Sequence, residues 1–378
     1  MNTTYDVRST AVSLSTTKTS RTETSAVSKT ECFPLDNRYK WSMNVFSKTN
    51  MAVLRKEFIK HKKYKPLCFT FEACKKNEPK NRYDDVICID ATRVILKGRP
   101  PDDDYIHANW MIMPDQQKYI CTQGPLQETL IDFWQMIFTE GCNVIVMLCS
   151  FKEGKNEKCA VYHPKTKDEC GKFGPFRVFL MESKKSPFNG VSYKVLSVRR
   201  AKTTSYEVHH LAYPDWPDHT APTDPAPIVC MMKFARFLAK GNPITVHCSA
   251  GIGRSATFVD YAMQRIRQDS TVSMVDVLKE LRNQRYQSVQ GIIQYVFLYI
   301  CVLEGFAYIL GWPVFTGRAG PSISSTRFVP SPLSSKMFSS FVIDIDGLLE
   351  PYPAQLSAGP SVLRTRHPIS LAVSIEGV

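Results

Sequence analysis

The twelve cysteines include no Cys-x-x-Cys pair and follow no regular frame, so neither a zinc ribbon nor a disulfide scaffold is indicated. The eight histidines, including the His209-His210 pair, form no motif with clustered carboxylates, which argues against a metal-dependent hydrolase. The first residues lack an apolar stretch long enough for a secretion signal. Together these absences suggest a reduced, intracellular and cytoplasmic chain whose thiols are mostly buried and inert. No run of like charge marks a nucleic-acid face, and aromatic residues are not interleaved with basic ones as a stacking platform requires. No internal repeat is visible.

What is present is ordinary globular composition: 378 residues, 43% hydrophobic and 22% charged. The net charge is +13, of which residues 1–30 supply +2 and residues 311–378 supply +1. The remaining +10 falls on the part expected to fold, which suggests an anionic partner: nucleic acid, membrane phosphate or a phosphorylated, acidic peptide. Half of residues 1–30 are Ser or Thr, so residues 1–35 are expected to be disordered. Residues 312–378 read as a Ser/Pro-rich, mostly disordered tail with an apolar island at 341–349. The apolar stretch 292–315 holds Gln294, Glu304 and Pro313, which suits a buried core helix ending near Gly311 and Pro313 better than a membrane span.

Order is expected from about Trp41, with a helix over 51–60. Further on, short strands are expected at 119–122, 143–148, 176–181, 192–199, 205–213 and 243–247. Helices are expected from Pro125 through Phe138, over 225–239, over 255–267, and after a Ser273 cap. The strand ending at His247 runs directly into Cys248-Ser249-Ala250-Gly251-Ile252-Gly253-Arg254-Ser255. Its two glycines let the loop curl so that the backbone N–H groups of Ser249 through Gly253 point inward. The following helix adds its positive end, and the result is a cradle sized for phosphate. Cys248 sits at its base, where inward N–H groups should stabilise a thiolate and lower its pKa strongly. Arg254 can bind two phosphoryl oxygens bidentately, and Ser255 can donate to the sulfur as it leaves. For a bare C-x5-R a structural cysteine before a Gly-rich turn would be the better reading, because the pattern is loose; the whole run is far more specific.

This run resembles the phosphate-binding signature of cysteine-dependent protein tyrosine phosphatases of the non-receptor type. Other segments resemble that family's motifs in the family's order, across roughly 41–310, which is read as the catalytic domain. Trp216-Pro217-Asp218 is similar to the mobile loop whose aspartate protonates the leaving tyrosine oxygen and later activates water. Lys80-Asn81-Arg82-Tyr83-Asp84-Asp85-Val86 is similar to the recognition loop, with Tyr83 stacking on the phosphotyrosine ring and Asp85 accepting from substrate amides. Gln284 through Tyr295 is similar to the water-positioning loop; Gln290 is the first candidate for that role and Gln294 the second. The alternative for both glutamines is satisfying backbone groups at a helix start. His247 is grouped with the catalytic residues. Glu153 and Lys158 resemble a charged loop beside the site, but the local spacing is one residue longer than usual in the family and both stay outside the assigned site.

The resemblance implies an α/β fold, a central twisted mixed β-sheet flanked by helices on both faces, in a single protein tyrosine phosphatase domain. It implies metal-free, cofactor-free hydrolysis of phosphotyrosine in protein substrates through a cysteinyl-phosphate, with neither nucleic acid nor a membrane span involved. Four positions depart from the family pattern: His107 (usually Asn), Thr220 (usually Gly), Ala256 (usually Gly) and Ser288 (usually Met). They leave open a catalytically impaired phosphotyrosine-binding relative. A dual-specificity or phosphoinositide phosphatase is the other alternative, opposed by the intact recognition loop.

Overall fold

The computed structural model describes residues 36–201 and 205–310; the expected N-terminal and C-terminal disorder, and residues 311–315, lie outside them. The chain opens with α1 (Asn37–Lys48) and α2 (Met51–His61), capped by Asp36 and Asn50, whose side chains accept from the N–H groups of Arg38 and Val53. Short α3 (Glu72–Lys76) leads to β1 (Arg93–Ile95), β2 (Tyr105–Ile112) and β3 (Lys118–Thr122). Then come α4 (Leu130–Thr139), β4 (Val144–Met147), the hairpin β5 (Lys152–Glu153) and β6 (Asn156–Glu157), and β7 (Cys170–Phe173). The antiparallel run β8 (Phe176–Lys184), β9 (Ser192–Arg200) and β10 (Tyr206–Ala212) follows. The chain closes with α5 (Ala226–Ala239), β11 (Ile244–His247), α6 (Arg254–Phe258), α7 (Tyr261–Gln268), α8 (Met274–Gln284) and α9 (Ile292–Leu310).

Nine strands form one mixed sheet in the order β1-β2-β3-β11-β4-β10-β9-β8-β7. The pairs β3–β11, β11–β4 and β4–β10 are parallel, and the flanks are antiparallel. Strands β4 and β11 are buried at every position, as expected of central parallel strands covered on both faces by helices. The expected mixed α/β architecture is therefore the one observed. Its functional consequence is topological: the carboxyl end of β11, where α/β folds hold ligands, opens between β3 and β4 into the cysteine loop.

Three expectations need correction. The helix expected from Pro125 starts at Leu130; residues before it form a turn in which the Thr129 hydroxyl accepts from Leu126 N–H and donates to its carbonyl. The helix expected over 255–267 is two helices, because Val259 is extended (φ −63°, ψ 136°). The break lets buried Asp260 take two bonds from Arg236 of α5, at 2.9 and 2.8 Å. Ordered helix also begins at Asn37, ahead of Trp41, whose ring is buried against Tyr299 and Phe306 of α9. The Ser273 cap is as expected, accepting from Asp276 N–H. No helix among the described residues is long and apolar enough to cross a membrane.

Candidate active site

The cysteine loop is shaped from outside as much as from within. Gly251 has φ +72°, and a Cβ there would sit 2.2 Å from the Thr122 carbonyl oxygen, so only glycine fits. Fully buried Arg285 grips the loop's outer side, donating to the carbonyls of Gly251 (3.1 Å) and Ala250 (3.0 Å). With those carbonyls turned outward, the opposite ends of the peptides face inward. Accordingly the Gly251 N–H donates to Cys248 Sγ at 3.2 Å.

Arg254 begins α6 and is 1% exposed. Its Nη1 donates to Glu153 Oε1 and to the Trp216 carbonyl, both at 2.6 Å, and Nη2 lies 3.2 Å from Asp218 Oδ1. Burial works against its charge, but Cys248, Glu153 and Asp218 outweigh burial and hold its pKa above the usual. Arg254 Nε and the Ser255 hydroxyl are buried without a hydrogen-bond partner among the described residues. Buried donors of this kind cost about 1–3 kcal/mol each when unmatched, so their persistence here points to an anionic ligand.

Asp218 is clamped between two cations, Arg254 and Lys158 Nζ (2.9 Å). Burial pushes its carboxyl up; Arg254 and the Lys158 bond together push harder the other way, and the net pKa is lowered. Trp216 anchors the loop: its indole N–H donates to the Thr220 carbonyl at 2.8 Å and its ring packs edge-on against Phe297. Thr220 contributes a staple of its own, its hydroxyl donating to the Pro217 carbonyl at 2.7 Å. A glycine could not make that bond.

The recognition loop reaches the same site. The Tyr83 hydroxyl is 2.8 Å from the Ser249 hydroxyl, which in turn donates to the Lys158 carbonyl. The Asp85 side chain is exposed, and its carbonyl accepts from Gln287. Val289, in the left-handed region at φ +57°, donates its N–H to the Ile252 carbonyl and ties the glutamine loop to the cradle. A β-branched residue there is strained, as segments at functional sites often are. Gln290 is half-buried at the start of α9. Gln294 is wholly buried, and its Oε1 accepts from the N–H groups of Gln290 (3.0 Å) and Gly291 (3.3 Å). That is the helix-start role; its Nε2, against Gly253, lacks a partner among the described residues.

Behind the cysteine lies a buried relay. His247 Nδ1 is 3.1 Å from the Cys248 carbonyl, which can only accept, so this nitrogen carries the proton. Nε2 then accepts from the Tyr162 hydroxyl at 2.8 Å, and His210 Nε2 must donate to that same oxygen at 2.6 Å. Burial pushes the His247 pKa down to about 4, so it stays neutral. In that state its Nδ1–H holds the Cys248 carbonyl.

The four departures all have local partners or a snug place. His107 is buried between the recognition loop and the cradle clamp: Nε2 donates to the Val86 carbonyl (3.0 Å), and Nδ1 accepts from Arg285 (3.1 Å). Burial and the Arg285 charge push its pKa down to about 3. Ala256 is fully buried in α6, and the Ser288 hydroxyl donates to the Arg285 carbonyl at 2.6 Å. Sequence reasoning left out three contributors that the geometry brings in: Glu153 and Lys158 pair with Arg254 and Asp218, and Arg285 holds the loop carbonyls. Glu153 lies in the β5–β6 hairpin, and Lys158 directly follows it. Five charged residues in seven, at 152–158, were the available signal.

Comparison with known proteins gives a consistent picture. The protein-tyrosine phosphatase family model matches residues 77–304. The mouse non-receptor type 18 tyrosine-protein phosphatase is 38% identical over 245 residues, covering 62% of this chain and 53% of that protein. The solved catalytic domain of the human type 18 enzyme superposes with a TM-score of 0.64 at 32% identity, covering 72% of this chain and 100% of that one. A solved complex of the type 18 enzyme with HER2 phosphotyrosine peptides gives 0.64 at 31% identity, with the same coverage. This chain spans between 11% and 54% of the length of the first curated relatives it matches.

Proposed function

The chain belongs to the protein-tyrosine phosphatase family, and from that premise we propose that it hydrolyses phosphotyrosine in proteins through a cysteinyl-phosphate on Cys248. The observation that carries this reading is the meeting of Cys248, Arg254 and Asp218 at one strand end, with Arg254 3.2 Å from Asp218 and the Gly251 N–H on the sulfur. The complex of the related type 18 enzyme with phosphotyrosine peptides supports the substrate class.

The phosphate dianion seats against the loop amides and Arg254. Its charge matches the guanidinium and the unpartnered Arg254 Nε and Ser255 hydroxyl. Substrate charge also offsets the cations that hold the Asp218 pKa down, so binding favours the protonated acid. The Cys248 thiolate attacks phosphorus, the bond to the tyrosine oxygen breaks, and Asp218 delivers its proton to that oxygen. Water positioned by Gln290 then attacks phosphorus and gives a proton to Asp218. The S–P bond breaks, Ser255 donates to the departing sulfur, and inorganic phosphate leaves. Transition-state stabilisation is mainly electrostatic, from donors fixed before the reaction begins. Tyr83 sets the depth of the slot and so selects phosphotyrosine over the shorter phosphoserine. The eleven unpaired cysteines among the described residues suit a reducing, intracellular setting.

The test is turnover of a phosphotyrosine peptide by the full chain under reducing conditions, beside Cys248→Ser and Asp218→Ala. Turnover by wild type, none by Cys248→Ser, and slow turnover with retained binding by Asp218→Ala are expected. Binding without turnover by wild type would replace the enzyme with a phosphotyrosine reader, and comparable rates on phosphoserine peptide or phosphoinositide would sink tyrosine specificity.

A further inference from the structure

We propose that the outer face of α2 and the segment after it dock this domain on an anionic lipid surface. Helix α2 buries Met51, Leu54 and Phe58. Its opposite face exposes Arg55, Lys56, Ile59 and Lys60, spaced as one helical stripe. The segment after the helix continues the same character with exposed Lys62, Lys63, Lys65 and Leu67. In sequence these cations are interrupted, which is why no charge run stands out; the helix gathers Arg55, Lys56 and Lys60 on one face, and Lys62, Lys63 and Lys65 follow its end.

Three observations make this a surface suited to a partner. None of the six cations, Arg55, Lys56, Lys60, Lys62, Lys63 and Lys65, forms an ion pair within 4.0 Å among the described residues. The single carboxylate of residues 51–71, Glu57, is occupied by the hydroxyls of Tyr295 (3.2 Å) and Tyr299 (3.3 Å). Leu67 is 102% and Ile59 63% exposed, two bare aliphatic side chains among the lysines.

The exposed groups are basic and aliphatic, with Lys65 also lying over the Phe69 ring at 5.2 Å. This is the pairing that an anionic membrane interface takes up, where headgroups meet the cationic groups while the aliphatic side chains enter the acyl boundary. Nucleic acid fits less well, because the aromatic residues nearby are engaged. Tyr64 donates to Asn283 Oδ1 at 2.9 Å, and Phe69 packs edge-on to Tyr286 at 4.6 Å and against Phe71 at 5.3 Å. Orientation follows from Arg282, whose guanidinium joins the carbonyls of His61 and Lys62 to those of Ser288 and Val289, next to Gln290. The docked face and the catalytic mouth are therefore neighbours, and, given the proposed activity, phosphotyrosines close to a membrane become the favoured substrates.

The experiment is co-sedimentation of the full chain with phosphatidylcholine vesicles, with and without phosphatidylserine, over a range of salt. Binding that requires phosphatidylserine and weakens with salt is expected. Each lysine near an anionic surface contributes about fivefold in partitioning. The triple variant Lys60→Gln, Lys62→Gln, Lys63→Gln should therefore bind on the order of 100-fold more weakly, and Leu67→Ser should lose binding that persists at high salt. Unchanged hydrolysis of p-nitrophenyl phosphate by the triple variant establishes that it is folded, independently of lipid. The proposal is overturned by absence of binding to phosphatidylserine vesicles, or by equal binding of the triple variant. It is also overturned if polyglutamate or RNA binds as tightly with the same dependence on these lysines.

Discussion

Acidification should unfold this domain through its buried histidines. His107, His163, His210 and His247 are all buried. Burial is the largest cause in each case, and it holds His107 to about 3 and His163 and His247 to about 4, with His210 also pushed down. In the unfolded chain each returns to about 6.5. Below that value the unfolded state binds protons that the folded state refuses. Stability is therefore full above pH 7 and falls as the pH drops toward 4. Between pH 7 and pH 5 each histidine costs about 2 kcal/mol, from ~1.4 kcal/mol per pH unit once the unfolded imidazole is charged. His107, His163 and His247 together cost about 6 kcal/mol, with His210 adding in the same direction, comparable with the whole stability of a typical domain. Guanidinium titrations followed by tryptophan fluorescence at pH 7, 6 and 5 measure this directly. The decisive comparison is His107→Asn, which keeps a donor for the Val86 carbonyl and an acceptor for Arg285 but cannot titrate. Its loss between pH 7 and pH 5 should be about 2 kcal/mol smaller than that of wild type. Parallel pH dependence in the two proteins would refute the assignment of His107 as a neutral buried bridge.

Three further outcomes follow from the site. Lys158→Gln removes one of the cations that depress Asp218, so its pKa rises and the alkaline limb of the kcat–pH profile for phosphotyrosine peptide moves to higher pH; an unmoved limb would remove Lys158 from the tuning of the acid. Gly251→Ala drives a Cβ into the Thr122 carbonyl at a φ that alanine resists, so kcat and affinity for an oxyanion such as tungstate should both fall, by on the order of 100-fold. Thr220→Gly removes the hydroxyl staple to Pro217, so amide exchange at 216–220 should quicken while exchange in the cysteine loop stays as it is.

The sequence made the reacting groups legible because their chemistry demands particular residues in tight local order. Cys248 through Ser255 is one strand-to-helix turn, so its shape could be reasoned from neighbours alone. Strands β4 and β11 announced themselves as short apolar runs for the same reason: they are covered on both faces. What escaped was set by distance in the chain. The long helix expected over 255–267 has good local propensity, yet it breaks at Val259, where the following Asp260 is bound by Arg236, 24 residues away. Local reasoning has no access to such a bond.

The support of the cradle was hidden in the same way, and it explains why His107 could be recognised as a departure but not interpreted. Its value lies in two partners, the Val86 carbonyl 21 residues before it and Arg285 178 residues after it. Asparagine offers one donor and one acceptor to such partners, and a neutral histidine offers the same pair through Nε2 and Nδ1. The exchange keeps the hydrogen-bond pattern, so it spares the geometry of the site, and it adds a group that can be protonated. The consequence belongs to stability at low pH more than to the chemical step: protonating His107 would set an N–H against Arg285, and the arginine that turns the cradle's carbonyls outward would lose a partner.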